Sequence, residues 1–247
     1  MQNPLSAPTT PPSFVDMREF ARDPDQGTAI EAAPGLDRFL AGRRCLNRAP
    51  GPVTAGVIAL GAGRGAVPSM PADEFIIVDA GRVTLTCPDA VLTLEAGDSA
   101  VLQQGAAFSW SADGPVSLIF VRYNGSQPGE HAIVPIRQDP QLEPSGAPLA
   151  ELLLTPTPAC RNYSDYRSAD GEFVCGTWDS TPYHRRAMLY RHFELMYLLQ
   201  GSVTFVDETG REGTFSQGDI FLVEQGAMCS WESREQVAKV YVIYRPA

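Results

Sequence analysis

The 247-residue chain reads as an all-β protein built from two copies of one unit. Three observations carry that reading. From about residue 51, short runs of Val, Ile, Leu, Thr and Phe are broken by Gly, Pro, Asp or Asn at the roughly 8–12-residue spacing of a sandwich or barrel. Glu74 and Gly81 recur as Glu194 and Gly201 at an offset of 120, with an apolar run between each pair. Gly97-Asp98, Gly105-Ala106, Ser109-Trp110 and Tyr123 recur as Gly218-Asp219, Gly226-Ala227, Ser230-Trp231 and Tyr244 at an offset of 121. Gly56 and Gly176 extend the register upstream at 120. A period kept by so many residue types marks a duplicated supersecondary unit.

Residues 1–12 are Pro/Thr/Ser-rich and read as disordered. They have neither the basic start nor the apolar core of a secretory signal. A short helix is expected at 15–21, and residues 36–40 form an amphipathic stretch. Residues 83–86 and 203–206 alternate as strands, and 207–210 supply a hairpin turn. The change of offset from 120 to 121 places one inserted residue in the hairpin between the blocks. The two Gly-Asp pairs sit in tight turns before apolar strands, with the Asp side chain free to accept from turn amides. Residues 61–65 are Gly-rich but follow a strand and lack a helix to bind phosphate, so they read as a loop matching 181–185. The Pro/Gly-rich stretch after Tyr123 is a linker. The expected division is an N-terminal arm plus barrel at 1–127, a linker at 128–146 and a second barrel at 147–247.

Nineteen basic against 29 acidic residues give a net charge of −10, with no Lys/Arg run, which argues against nucleic-acid binding. No apolar run approaches the ~20 residues of a membrane span. Five irregularly spaced cysteines make neither a disulfide framework nor a CxxC pair, and a cytoplasmic setting is expected. No nucleophile elbow or Rossmann fingerprint occurs.

The Glu-x6-Gly block followed by the Gly-Asp block resembles the two motifs of the cupin superfamily. The second copy matches best, from Glu194 to Gly201 and from Gly218-Asp219 to Gly226 and Cys229. Gly176-Thr177-Trp178 and Ser230-Trp231 resemble the subgroup of ethanolamine-utilisation and ureidoglycolate-type cupins. The resemblance covers about residues 45–247 and implies two tandem double-stranded β-helix barrels of the jelly-roll, RmlC-like kind, a bicupin.

Metal-binding cupins place two histidines and a glutamate in the first motif and one histidine in the second, pointing into the barrel. Here the histidine positions hold residues 67–70 in copy one and 187–190 in copy two, none of them histidine. Phe108 and Cys229 stand at the second-motif histidine. Copy one reads as a structural barrel, with Glu74 hydrogen-bonded inside it or at its mouth. Copy two retains Glu194, His192, Cys229 and His184 as candidate ligands for Zn, Mn, Fe or Ni, with no cofactor assured. An organic pocket is the leading alternative at the same place. Trp178, Tyr190 and Tyr197 supply walls, and Arg191, with Arg185 and Arg186, is placed to pair a carboxylate or phosphate. Buried without a cation, Glu194 would have a raised pKa and serve as catalytic acid or base.

The expected function is a small-molecule-binding bicupin of amine, ureide or amino-acid metabolism. The rivals are a metal-dependent hydrolase or lyase using Glu194, His192 and Cys229, and a structural or ligand-sensing module. Edge strands and the Pro-rich arm suit a homodimer.

Overall fold

The computed structural model describes residues 11–30, 35–88 and 90–247. Most of the N-terminal stretch expected to be disordered, residues 1–10, lies outside them. The rest folds into two jelly-roll barrels, each a seven-stranded antiparallel sheet facing a four-stranded one. In the first barrel the large sheet centres on Asp73–Ala80, Val116–Tyr123 and Val53–Leu60, and the small sheet on Phe108–Ala112 and Arg82–Cys87. In the second, Phe193–Gln200, Val237–Tyr244 and Phe173–Ser180 take the same places in the same order, faced by Met228–Ser233 and Ser202–Val206. Among the described residues no helix is long and apolar enough to cross a membrane.

Local chemistry explains why both copies keep this path. Gly97 and Gly218 hold φ of 92° and 91°, a left-handed conformation that side chains resist. The following Asp98 and Asp219 accept from the backbone N–H of Glu95 and Ser216 at 2.9 and 2.7 Å, closing each turn as the Gly-Asp pattern predicts. Gly56 and Gly176 answer a different demand. A Cβ there would lie 2.2 Å from the Arg44 carbonyl oxygen and 2.0 Å from that of Tyr163, so the neighbouring strand approaches too closely for any side chain. The added residue lies in the expected hairpin: Thr86 pairs with Val91 across four residues in copy one, whereas Val206 pairs with Glu212 across five in copy two.

Strand alternation divides the apolar residues among three cores. Ile76 and Val78 point into the first barrel, and Met196 and Leu198 into the second. Phe75, Ile77 and Leu195 point the other way, into a core between the two large sheets. Each such aliphatic side chain contributes ~1.5–3 kcal/mol by leaving water.

The structure revises four local expectations. The first helix is Met17–Arg22, because Phe14–Asp16 is a strand paired with Ile220–Val223, and Asp16 caps the helix. That strand belongs to the C-terminal sheet, so a division that leaves residues 1–127 wholly with the first barrel does not hold for it. Gly63–Val67 is a strand rather than a loop, since Phe108–Ala112 satisfies its backbone. The linker contributes Ile133–Pro135 to the first barrel and Glu143–Ser145 to the second.

Candidate functional site

Glu194 lies on Phe193–Gln200 in phase with Met196 and Leu198, and therefore faces the interior of the second barrel. Lys239 lies on the adjacent strand Val237–Tyr244, in phase with the interior residue Val237. Its stem runs along the barrel wall, and Nζ donates to Glu194 Oε1 at 2.8 Å. The ammonium also lies 4.7 Å from the ring centroid of Trp178 and 5.1 Å from that of Trp231, where the π faces attract it. His192 Nε2 lies 3.2 Å from the other Glu194 oxygen, Oε2. Burial by itself would raise the Glu194 pKa. The Lys239 charge and the His192 contact outweigh burial and hold the carboxyl at about 2. The expectation of a raised, catalytic Glu194 assumed no cation nearby; Lys239 removes that premise. Glu194 is a fixed carboxylate.

The candidate metal ligands do not assemble. Among the described residues no three or more His, Cys, Asp or Glu gather in ligand geometry. Cys229 is fully buried in the barrel core, and burial pushes its thiol up to about 11, away from the thiolate a metal needs. His184 sits one residue out of phase with the interior-facing Tyr183 and Arg185, opposite Glu232 on the outer surface. Only Glu194 and His192 remain together, and an ammonium already occupies the carboxylate. A Zn, Mn, Fe or Ni ion does not fit this donor set.

An organic pocket does form. A cavity of about 510 Å³ opens at the mouth of the second barrel. Trp178, Tyr190, Tyr183 and Trp231 line it, with Tyr183 stacked on Trp231 at 5.5 Å. Two of the four expected ligand-binding residues, Trp178 and Tyr190, are therefore on its wall. Tyr197 is not. It lies in the opposite phase and packs into the core between the barrels, its hydroxyl against Gly97. Arg191 is exposed, and its carbonyl accepts from Gln225. Arg186 is exposed as well.

Arg185 instead turns inward, 3 % exposed, donating to the Cys229 carbonyl at 2.8 Å and to the Tyr190 hydroxyl at 2.5 Å. The residue that sequence reasoning missed is Lys239. It stands as the one charge in the apolar strand Val237–Tyr244, a signal that was present and unused.

The first barrel holds Glu74 differently. Arg43 grips both its oxygens, at 2.7 and 2.9 Å, and Arg122 adds a bond of 2.8 Å. These guanidinium groups offset the desolvation that would raise Glu74 and hold its carboxyl below the usual range. Arg43 also lies 4.7 Å over the Phe120 ring. Phe39, from the helix Arg38–Ala41, packs edge-on against Phe108 and is fully buried in this barrel's core.

Comparison with known proteins agrees with this architecture. Residues 167–241 match the EutQ-like cupin domain model. A protein of unknown function of the DUF861 family from Pseudomonas syringae pv. tomato is 28% identical over 95% of this chain and 100% of its own, with a TM-score of 0.84. The Ylba protein of E. coli, also DUF861, is 12% identical over 99% of this chain and 96% of its own, with a TM-score of 0.55. A cupin 2 conserved barrel domain protein from Leptotrichia buccalis is 10% identical over 82% and 88%, with a TM-score of 0.54. No curated protein matches the chain. Residues 167–241 are thus similar to the EutQ-like cupin domain, and the duplicated jelly roll is the fold of these solved structures.

Proposed function

We propose that the protein is a bicupin that binds a small molecule of amine, ureide or amino-acid metabolism in its C-terminal barrel. The cavity of about 510 Å³ carries this reading. Its volume falls in the ~300–1,000 Å³ range of organic ligand sites, and it combines aromatic walls with a few fixed polar groups. Apolar area on Trp178 and Tyr183 supplies affinity, while Glu194, Lys239 and Arg185 orient the ligand. The EutQ-like match over the same barrel supports the placement.

A thermal-shift screen with small amines, ureides and amino acids tests it, because a ligand that binds only the folded state raises Tm. A hit should be lost in Trp178→Ala and kept in Trp110→Phe, whose ring lies in the first barrel. Hits insensitive to Trp178→Ala, or none at millimolar ligand, would refute the proposal.

A further inference from the structure

We propose that the ligand of the C-terminal barrel is a carboxylate, and that Arg185 is the residue that recognises it. The inference rests on the binding role of that barrel and names the class of its occupant. Arg43, Arg185 and Lys239 are the buried cations among the described residues. Arg43 is paired with Glu74 and Lys239 with Glu194. Arg185 has no carboxylate within 4 Å among the described residues, although it is the least exposed of the three at 3 %.

A guanidinium taken out of water without a counter-ion is a costly arrangement, and folded proteins compensate it. The partners Arg185 does have are neutral: the Cys229 and Arg186 carbonyls on Nη1 and the Tyr190 hydroxyl on Nη2. Of the five guanidinium donors, Nε–H and one on Nη2 have no acceptor among the described residues. Nε and Nη2 form one edge of the planar fork, the geometry that grips the two oxygens of a carboxylate.

The surroundings suit such an anion. Arg185 lies on the cavity wall with its guanidinium 5.2 Å from the Tyr190 ring centroid, which fixes its plane. Arg167, Arg185, Lys239 and Arg245 line the cavity against only Glu172 and Glu194, a net positive lining in a chain of charge −10. The field of such a cleft concentrates small anions against the prevailing sign of the surface. The aromatic walls of Trp178 and Tyr183 then receive an apolar or unsaturated body attached to the carboxylate. A single carboxylate is favoured over phosphate, because a dianion would need more donors than one free guanidinium edge offers.

Quenching of tryptophan fluorescence, with Trp178 and Trp231 in the cavity, provides the readout. The probes are benzoate, phenylacetate and glutarate, their neutral amides, and inorganic phosphate. The expected result is carboxylate binding at least tenfold tighter than the matched amide, and at least tenfold weaker in Arg185→Gln. Arg185→Lys keeps the charge without the fork. It should recover part of the affinity, and it serves as the informative variant if the glutamine form fails to fold, as judged by circular dichroism. Amides or phosphate binding as tightly as carboxylates would overturn the carboxylate assignment while leaving a small-molecule site in place. Carboxylate binding insensitive to both substitutions would overturn the role of Arg185. No binding by any probe in the wild-type protein, with a correct fold, would count against both the class and the site.

Discussion

The two barrels share a skeleton strand for strand, yet one interior is filled and the other is open. In the first, Phe39 caps the apolar core and a carboxylate lies between two guanidinium groups, Arg43–Glu74–Arg122. In the second, one ammonium serves the carboxylate, and the short helical turn Ala150–Leu152 buries no side chain of its own, leaving only the half-buried Leu153 against the core where Phe39 fills the first barrel. The difference teaches that a barrel glutamate does not identify a metal site. Both copies keep the acid and neutralise it with side chains of the chain itself. What distinguishes the second barrel is the cavity left over after that neutralisation.

Breaking the charge balance of the closed barrel should have the largest effect. Glu74→Gln leaves Arg43 and Arg122 side by side at the barrel core without their anion. Loss of one partner from such a buried network costs about 3–5 kcal/mol. Urea denaturation of the variant should show that loss at unchanged m-value, and a change within 0.5 kcal/mol would mean that the triad is not a structural counter-ion system.

Acid should probe the open barrel next. The Glu194 carboxyl is depressed from 4.5 to about 2 in the folded protein, so its contribution to stability is present above pH 4.5 and disappears as pH falls through 2. The shift corresponds to a contribution on the order of 3 kcal/mol. The double variant Glu194→Gln/Lys239→Met removes both charges together and should fold, with a shallower loss of stability between pH 5 and 2. A wild-type profile parallel to that of the double variant would exclude the pair as the source.

Smaller effects separate core from surface. Cys229→Ala should cost about 1 kcal/mol through lost packing, with the same metal content as wild type in protein prepared without affinity resin. A stoichiometric metal that disappears with the thiol would restore the metal reading. His184→Ala, on the outer face of its strand, should change stability by less than about 0.5 kcal/mol and leave ligand affinity unaltered. A tenfold change in affinity would place His184 in the site after all.

Much of the architecture was legible because repeats and turn glycines carry it. Gly97-Asp98 and Gly218-Asp219 announce their turns by residue type alone, and the duplicated register then sets two barrels. The helix at 15–21 was misplaced because its first residues pair with a strand more than 200 positions away, which no local pattern reveals. At the site, Trp178 and Tyr190 were found because aromatic residues next to the motifs suggest a wall. Tyr197 and His184 failed for a simpler reason. Strand parity decides which side of the barrel a residue faces, and each is one position out of phase with Glu194 or Arg185. Lys239 belongs to no motif: it partners the acid from a neighbouring strand 45 positions away, a pairing that no local spacing reveals.

The pairing of Phe14–Asp16 with Ile220–Val223 has a consequence for how the molecule comes into being. Phe14 fills a place in the second barrel against Phe215, and Ser13 donates through its backbone N–H to Glu224 at 2.9 Å. Arg18, one helical turn further on, bonds Asp79 in one half and the Gly218 carbonyl in the other. Residues 13–18 thus take their partners from segments about 200 positions further along the chain. Closing contacts of such sequence separation is slow, and once formed they tie the two halves together.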